Sequence, residues 1–121
     1  MLSCDDSFDA RIALRGVEDA SRFGAVEHHD GLVTAFKEKE ESEASSADIN
    51  AGLYLIGKRI VERLDGPTSM EHEVFPALVK EQRLRCEAFD GYFIDMGLPD
   101  TYELACREIP KKRQRPCAFL D

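Results

Sequence analysis

The residues best placed for chemistry lie in Asp90-Gly91-Tyr92-Phe93-Ile94-Asp95-Met96-Gly97-Leu98-Pro99-Asp100-Thr101-Tyr102. Tyr92, Phe93 and Ile94 suit a short strand. One acid, Asp95, follows them between apolar neighbours. Gly97 and Pro99 then open a helix predicted over Asp100 to about Glu108, since proline fits a helix's first turn. Asp100 and Glu103 fall near its positive end. An acid at the carboxyl end of a strand, just before a helix, lies where α/β sheets bind ligands. From spacing alone, Asp95 still reads as a solvated acid of a βα loop. The other candidates are weaker. Glu38 and Lys39 by themselves are ordinary surface charges. His28, His29 and His72 read as surface residues, since no third ligand lies at metal spacing.

Composition narrows the function classes. The 121 residues are 43% hydrophobic and 33% charged, with a net charge of −8. That excess of acid argues against nucleic acid or an anionic membrane surface as the main partner. No apolar run approaches a membrane span, and no charged-then-apolar leader opens the chain. Cys4, Cys86, Cys106 and Cys117 have no CxxC spacing, which fits reduced thiols in a cytoplasmic protein. Cys86 and Cys106 read as buried small hydrophobes.

The elements that must position these residues follow in order. Residues 1–10 are acidic and without period. Arg11 to Val17 alternates as a strand, with Ile12 and Leu14 on one side, and Glu18 to Arg22 is a turn. Phe23 to Glu27 and Leu32 to Phe36 form a hairpin around His28-His29-Asp30-Gly31. In the second arm, Leu32, Thr34 and Phe36 share one face and Val33 and Ala35 the other. Residues 37–48 read as an exposed polar loop. Ile49 to Ile56 is a buried type of strand, and Gly52 near its start signals a bulge or a close backbone approach. Lys58 to Leu64 is a short helix ended by Asp65-Gly66-Pro67. Thr68 or Ser69 can cap the next helix, and Thr68 with Glu71 fits a capping box. Its stripe is Met70, Val74, Phe75, Leu78 and Val79, with a kink or restart at Pro76. Arg83 to Phe89 alternates as a strand, Leu84, Cys86 and Ala88 on one side. Past Ile109-Pro110 the chain turns basic, like a linker.

Five blocks carry a resemblance. They are Arg15-Gly-Val-Glu-Asp-Ala-Ser-Arg-Phe-Gly-Ala-Val-Glu27, Val33-Thr-Ala-Phe-Lys-Glu-Lys39, Ile49-Asn-Ala-Gly-Leu-Tyr54, Glu73-Val-Phe-Pro-Ala-Leu78 and Gly91 to Tyr102. Taken in order, they resemble the carboxyl-terminal half of the sugar-1-phosphate nucleotidylyltransferases, nearest the D-glycero-α-D-manno-heptose-1-phosphate guanylyltransferases. The resemblance implies an α/β fold: an incomplete Rossmann-like layer, a mixed sheet with flanking helices. It divides the chain into an acidic segment (1–10), the sugar-phosphate half of a nucleotidyltransferase domain (11–109), and a basic tail (110–121). Within that tail, Arg115 to Asp121 resembles the first strand of a haloacid-dehalogenase-type phosphatase, an enzyme known fused behind this family.

The roles it implies fall on single residues. Asp95 matches a carboxylate that holds the catalytic Mg²⁺. Glu38 and Lys39 match the pair that contacts sugar hydroxyls and the sugar phosphate, with Lys39 the catalytic cation. Gly24 matches a glycine lying against the sugar, and Asn50 an asparagine beside it. Two positions depart from the pattern: Leu98 stands where many relatives have Thr, and Glu40 where Pro usually follows the Glu-Lys pair. The implied reaction joins a sugar 1-phosphate to a nucleoside triphosphate, two anions whose repulsion Mg²⁺ offsets. The family's Gly-rich nucleotide loop has no counterpart here, so the expectation is a truncated, self-associating piece that is inactive alone. A non-catalytic sugar-phosphate module and an interaction domain with idle site residues are the alternatives.

Overall fold

Ile12 and Leu14 are wholly buried because the strand that carries them has a neighbour on each edge. A computed structural model describes residues 9–38 and 46–112, which fall into two units, 9–90 and 91–112. The first unit holds strands β1 (Ala10–Val17), β2 (Val26–His29), β3 (Leu32–Phe36), β4 (Ala47–Ile56) and β5 (Leu84–Ala88). It also holds helices α1 (Lys58–Glu62) and α2 (Phe75–Lys80), the latter entered through a π-helical turn, Met70–Val74. The sheet order is β2-β3-β5-β1-β4. β1 runs parallel to β5, while β1–β4, β2–β3 and β3–β5 are antiparallel. The sheet is therefore mixed, as expected. No helix among the described residues is long and apolar enough to cross a membrane.

Local chemistry explains the main turns. Asp30 and Gly31 have φ of 49° and 75°, the two left-handed residues that a type I′ hairpin needs. The turn before β2 is closed by Asp19, whose carboxylate accepts the Ser21 amide at 2.9 Å. β2 starts at Val26, three residues later than expected. In β3 the register shifts: Glu27 faces Ala35 but His28 faces Val33, so Thr34 is an extra residue. That bulge corrects the expected alternation by placing Val33 and Phe36 on one face, and both pack on the core.

The core joins that face to α1 and α2 through Ile60, Phe75, Leu78 and the partly buried Met70, Val74 and Val79. The apolar stripe is thus the expected one, and of the two expected cap candidates Ser69 is the one used. Ser69, rather than Thr68, accepts the His72 amide at 3.1 Å, and Glu73 returns to the Ser69 amide at 2.7 Å. The spacing is four rather than three because the first turn is wide: Val74 N–H bonds to Ser69 C=O, five residues back. Pro76, lacking an N–H, then sits in the first turn of α2, where none is needed.

In the second unit, residues 92–96 form no strand, contrary to expectation. Tyr92 is committed to side-chain contacts instead: its hydroxyl donates to Glu108 at 2.8 Å, and Lys112 Nζ lies 3.5 Å from its ring centre. Helix α3 (Pro99–Lys112) runs past the expected end near Glu108 and carries Pro110 inside it. Lys111 and Lys112 occupy its last turn, where cations complement the helix dipole. Cys106 is exposed on this helix, against expectation, whereas Cys86 is buried as expected. Residues 113–121, with the phosphatase-like stretch, lie outside the described residues.

Three outcomes are expected. Phe75→Ala removes a fully buried ring and should cost roughly 3–5 kcal/mol in urea unfolding, where a loss under about 1 kcal/mol would contradict the packing. Burial pushes the Cys86 thiol up to about 11, with the Asp48 carboxylate adding to the rise. Iodoacetamide at pH 8 should therefore label Cys106 while Cys86 stays unmodified in the folded chain, read by peptide mass. Stability should also fall as pH rises from about 9 to 11, because only the unfolded thiol ionises there.

Candidate functional site

Gly52 decides where the polar residues of β4 point. Opposite β1, Ile12 faces Tyr54 and Leu14 faces Asn50, so β4 spends two extra residues there. This is the bulge its glycine signalled, with φ at 77°, a conformation that suits glycine. The widened strand is clasped by Asn50, whose Oδ1 accepts the Gly52 amide at 2.9 Å. Asn50 Nδ2 donates to Tyr54 Oη at 2.9 Å, and the Tyr54 hydroxyl donates to Glu71 Oε1 at 3.0 Å. Burial, then Glu71, hold the Tyr54 phenol above its usual pKa, while the Asn50 bond pulls the other way. It is a donor at neutral pH.

These groups form one wall of a cavity of about 300 Å³. Gly24 and Ala25, ahead of β2, supply a second wall; Phe36, Lys37 and Glu38, at the end of β3, supply a third. Glu71 and His72, from the wide turn, complete the lining. The hairpin base is fixed by the Lys37 amide on Ala25 C=O at 2.8 Å and by a Lys37–Glu27 ion pair at 2.8 Å. Such a cavity has the size of a small-ligand site. Its carboxylates, amide and phenol suit a polyhydroxylated ligand, since each hydroxyl needs both donors and acceptors.

Three residues singled out from sequence, Gly24, Glu38 and Asn50, line this cavity together. Lys39 lies outside the described residues. Asp95 belongs to the second unit, where it is half-buried. Its Oδ1 accepts the Gly97 amide at 2.9 Å, a tight turn that leads into α3. At that helix start, the Thr101 hydroxyl bonds the Leu98 backbone. Among the described residues, no three His, Cys, Asp or Glu gather as a metal site. A magnesium ion commonly takes only one or two protein carboxylates, completing its shell with phosphate and water. Asp95 fits as one such ligand.

Sequence reading missed Tyr54, Glu71 and His72 as cavity residues. Tyr54 lies four residues after Asn50, a spacing that pairs side chains on a helix but not on a regular strand. Only the bulge brings the two together, and Gly52 was its one signal. Tyr54→Phe removes both hydroxyl contacts and leaves the ring on Phe75. It should weaken ligand binding about tenfold in calorimetry with little loss of stability; unchanged affinity would show that the network is idle.

Comparison with known proteins adds the relations. The family model for nucleotidyl transferase matches residues 4–112. Mannose-1-phosphate guanyltransferase of Schizosaccharomyces pombe is 35% identical over 98 residues, covering 78% of this chain and 27% of that protein. The mannose-1-phosphate guanylyltransferase catalytic subunit beta of Drosophila pseudoobscura pseudoobscura is 36% identical over 110 residues, 88% of this chain and 29% of that one. The crystal structure of HddC from Yersinia pseudotuberculosis, complexed with GMP-PN, superposes with a TM-score of 0.70 at 28% identity. That match covers 84% of this chain and 44% of HddC. The chain thus spans under a third of these curated relatives and under half of the solved one.

Proposed function

Because the chain belongs to the nucleotidyl transferase family, we propose that it is the sugar-phosphate part of a guanylyltransferase acting on a sugar 1-phosphate of manno configuration. The names of its curated relatives favour mannose 1-phosphate, and the sequence resemblance favours the manno-heptose; the two share the ring stereochemistry. One observation carries the reading. Gly24, Glu38 and Asn50, far apart in sequence, line one cavity with the Tyr54–Glu71 pair.

In the proposed reaction, a phosphate oxygen of the sugar 1-phosphate attacks the α-phosphorus of the nucleoside triphosphate. A new P–O bond forms, the α–β bond breaks, and diphosphate leaves. Glu38, Asn50 and Glu71 take the sugar hydroxyls, while the backbone at Gly24 passes close to the ring. Lys39 meets the phosphate as a point charge. Asp95 would hold Mg²⁺, which neutralises phosphate charge when bound. Positioning is then the main contribution of these residues to catalysis.

Titration calorimetry tests the reading. Mannose 1-phosphate or the manno-heptose 1-phosphate, with Mg²⁺, should bind with a Kd of about 1 mM or tighter, and glucose 1-phosphate more weakly. Glu38→Gln should weaken binding several-fold. Equal affinity for all three sugars would remove the manno assignment. No binding at several times that concentration would favour an interaction domain.

A further inference from the structure

β2 and β4 stand at opposite ends of the sheet's hydrogen-bonding order, so no ladder joins them. Yet His28 Nε2 of β2 lies 2.7 Å from Asp48 Oδ2 of β4. The register explains how they meet. His28 faces Val33, on the side of Val26 and Phe36. Asp48 faces Gly16, on the side of Leu14 and Ile12. Both therefore rise from the concave face of a sheet curled enough to bring its ends within side-chain reach. A Cβ on Gly16 would stand 3.4 Å from Asp48 Oδ1, in ordinary contact, so Asp48 lies directly over β1 at that position. Each side chain is 31% exposed.

The pair sits beside the cavity at both ends. His28 is two residues past Val26 and Asp48 two before Asn50, and Val26 and Asn50 both line it. We propose that His28 and Asp48 form a latch that holds the β2–β3 hairpin against β4 and so sets the distance between the Gly24 wall and the Asn50 wall. They are positioning residues, acting on the ligand through those walls. Their effect on sugar phosphates rests on the function proposed above; the latch itself does not.

Amide hydrogen exchange on the ligand-free chain decides it. His28→Ala and Asp48→Ala should each speed exchange about tenfold at 24–28 and 47–53, since a bond to a charged group is lost locally. Exchange in α2 and β5 should hold. His28→Gln, whose amide reaches the same carboxylate, should restore protection, and the double variant should be no worse than either single one. In calorimetry the alanine variants should lose about tenfold in affinity for mannose 1-phosphate, and the glutamine variant little. Unchanged exchange at both walls, additive effects in the double variant, or loosening spread over the whole sheet would overturn the latch. Should the unaltered chain bind no sugar phosphate while exchange responds as described, the function falls and the latch stands.

Discussion

Phe75 is the contact on which both core and cavity depend. Its ring is fully buried, edge-on to Tyr54 with centroids 5.0 Å apart and stacked on Phe36 at 6.4 Å. Tyr54 and Phe36 are themselves walls of the cavity. One apolar side chain from α2 thus fixes the spacing between β4 and the β3 end, where the polar groups sit. Aromatic pairs of this kind contribute about 0.5–1.5 kcal/mol beyond area burial, enough to favour one arrangement of the rings. The π-helical entry and Pro76 seat Phe75 by starting α2 at that point.

Upon that wedge stands a polar network whose members are already bonded before any ligand arrives. Asn50 uses one end of its amide on Gly52 and the other on Tyr54. Tyr54 passes the chain of bonds to Glu71, whose residue also lines the cavity. Groups held this way lose little further freedom on binding, which favours affinity.

Much of this was legible in the sequence, and the failures have local causes. The Asp30-Gly31 turn, the β4 glycine and the Met70–Val79 stripe read correctly because each rests on one strong preference: left-handed backbone or helical period. Residues 92–94 misled because aromatic character signals burial, not a ladder, and Tyr92 spends its ring and hydroxyl on α3. The box pairs Ser69 with Glu73 rather than Thr68 with Glu71 because no sequence rule announces a π turn. Thr34 escaped notice because a bulge on the second hairpin arm needs its partner's register to be seen. Among the site residues, Gly24, Glu38 and Asn50 were found through resemblance rather than pattern, and Tyr54 and Glu71 needed the fold itself.

The proposed function requires that the cavity walled by Gly24, Glu38, Asn50 and Tyr54 receive a sugar phosphate. Mapping backbone NMR shifts of the chain during a mannose 1-phosphate titration tests it most directly. Perturbations should concentrate at Gly24–Ala25, Lys37–Glu38, Asn50–Tyr54 and Glu71–His72. Saturating shifts confined to α1 or to the outer face of the sheet would contradict it.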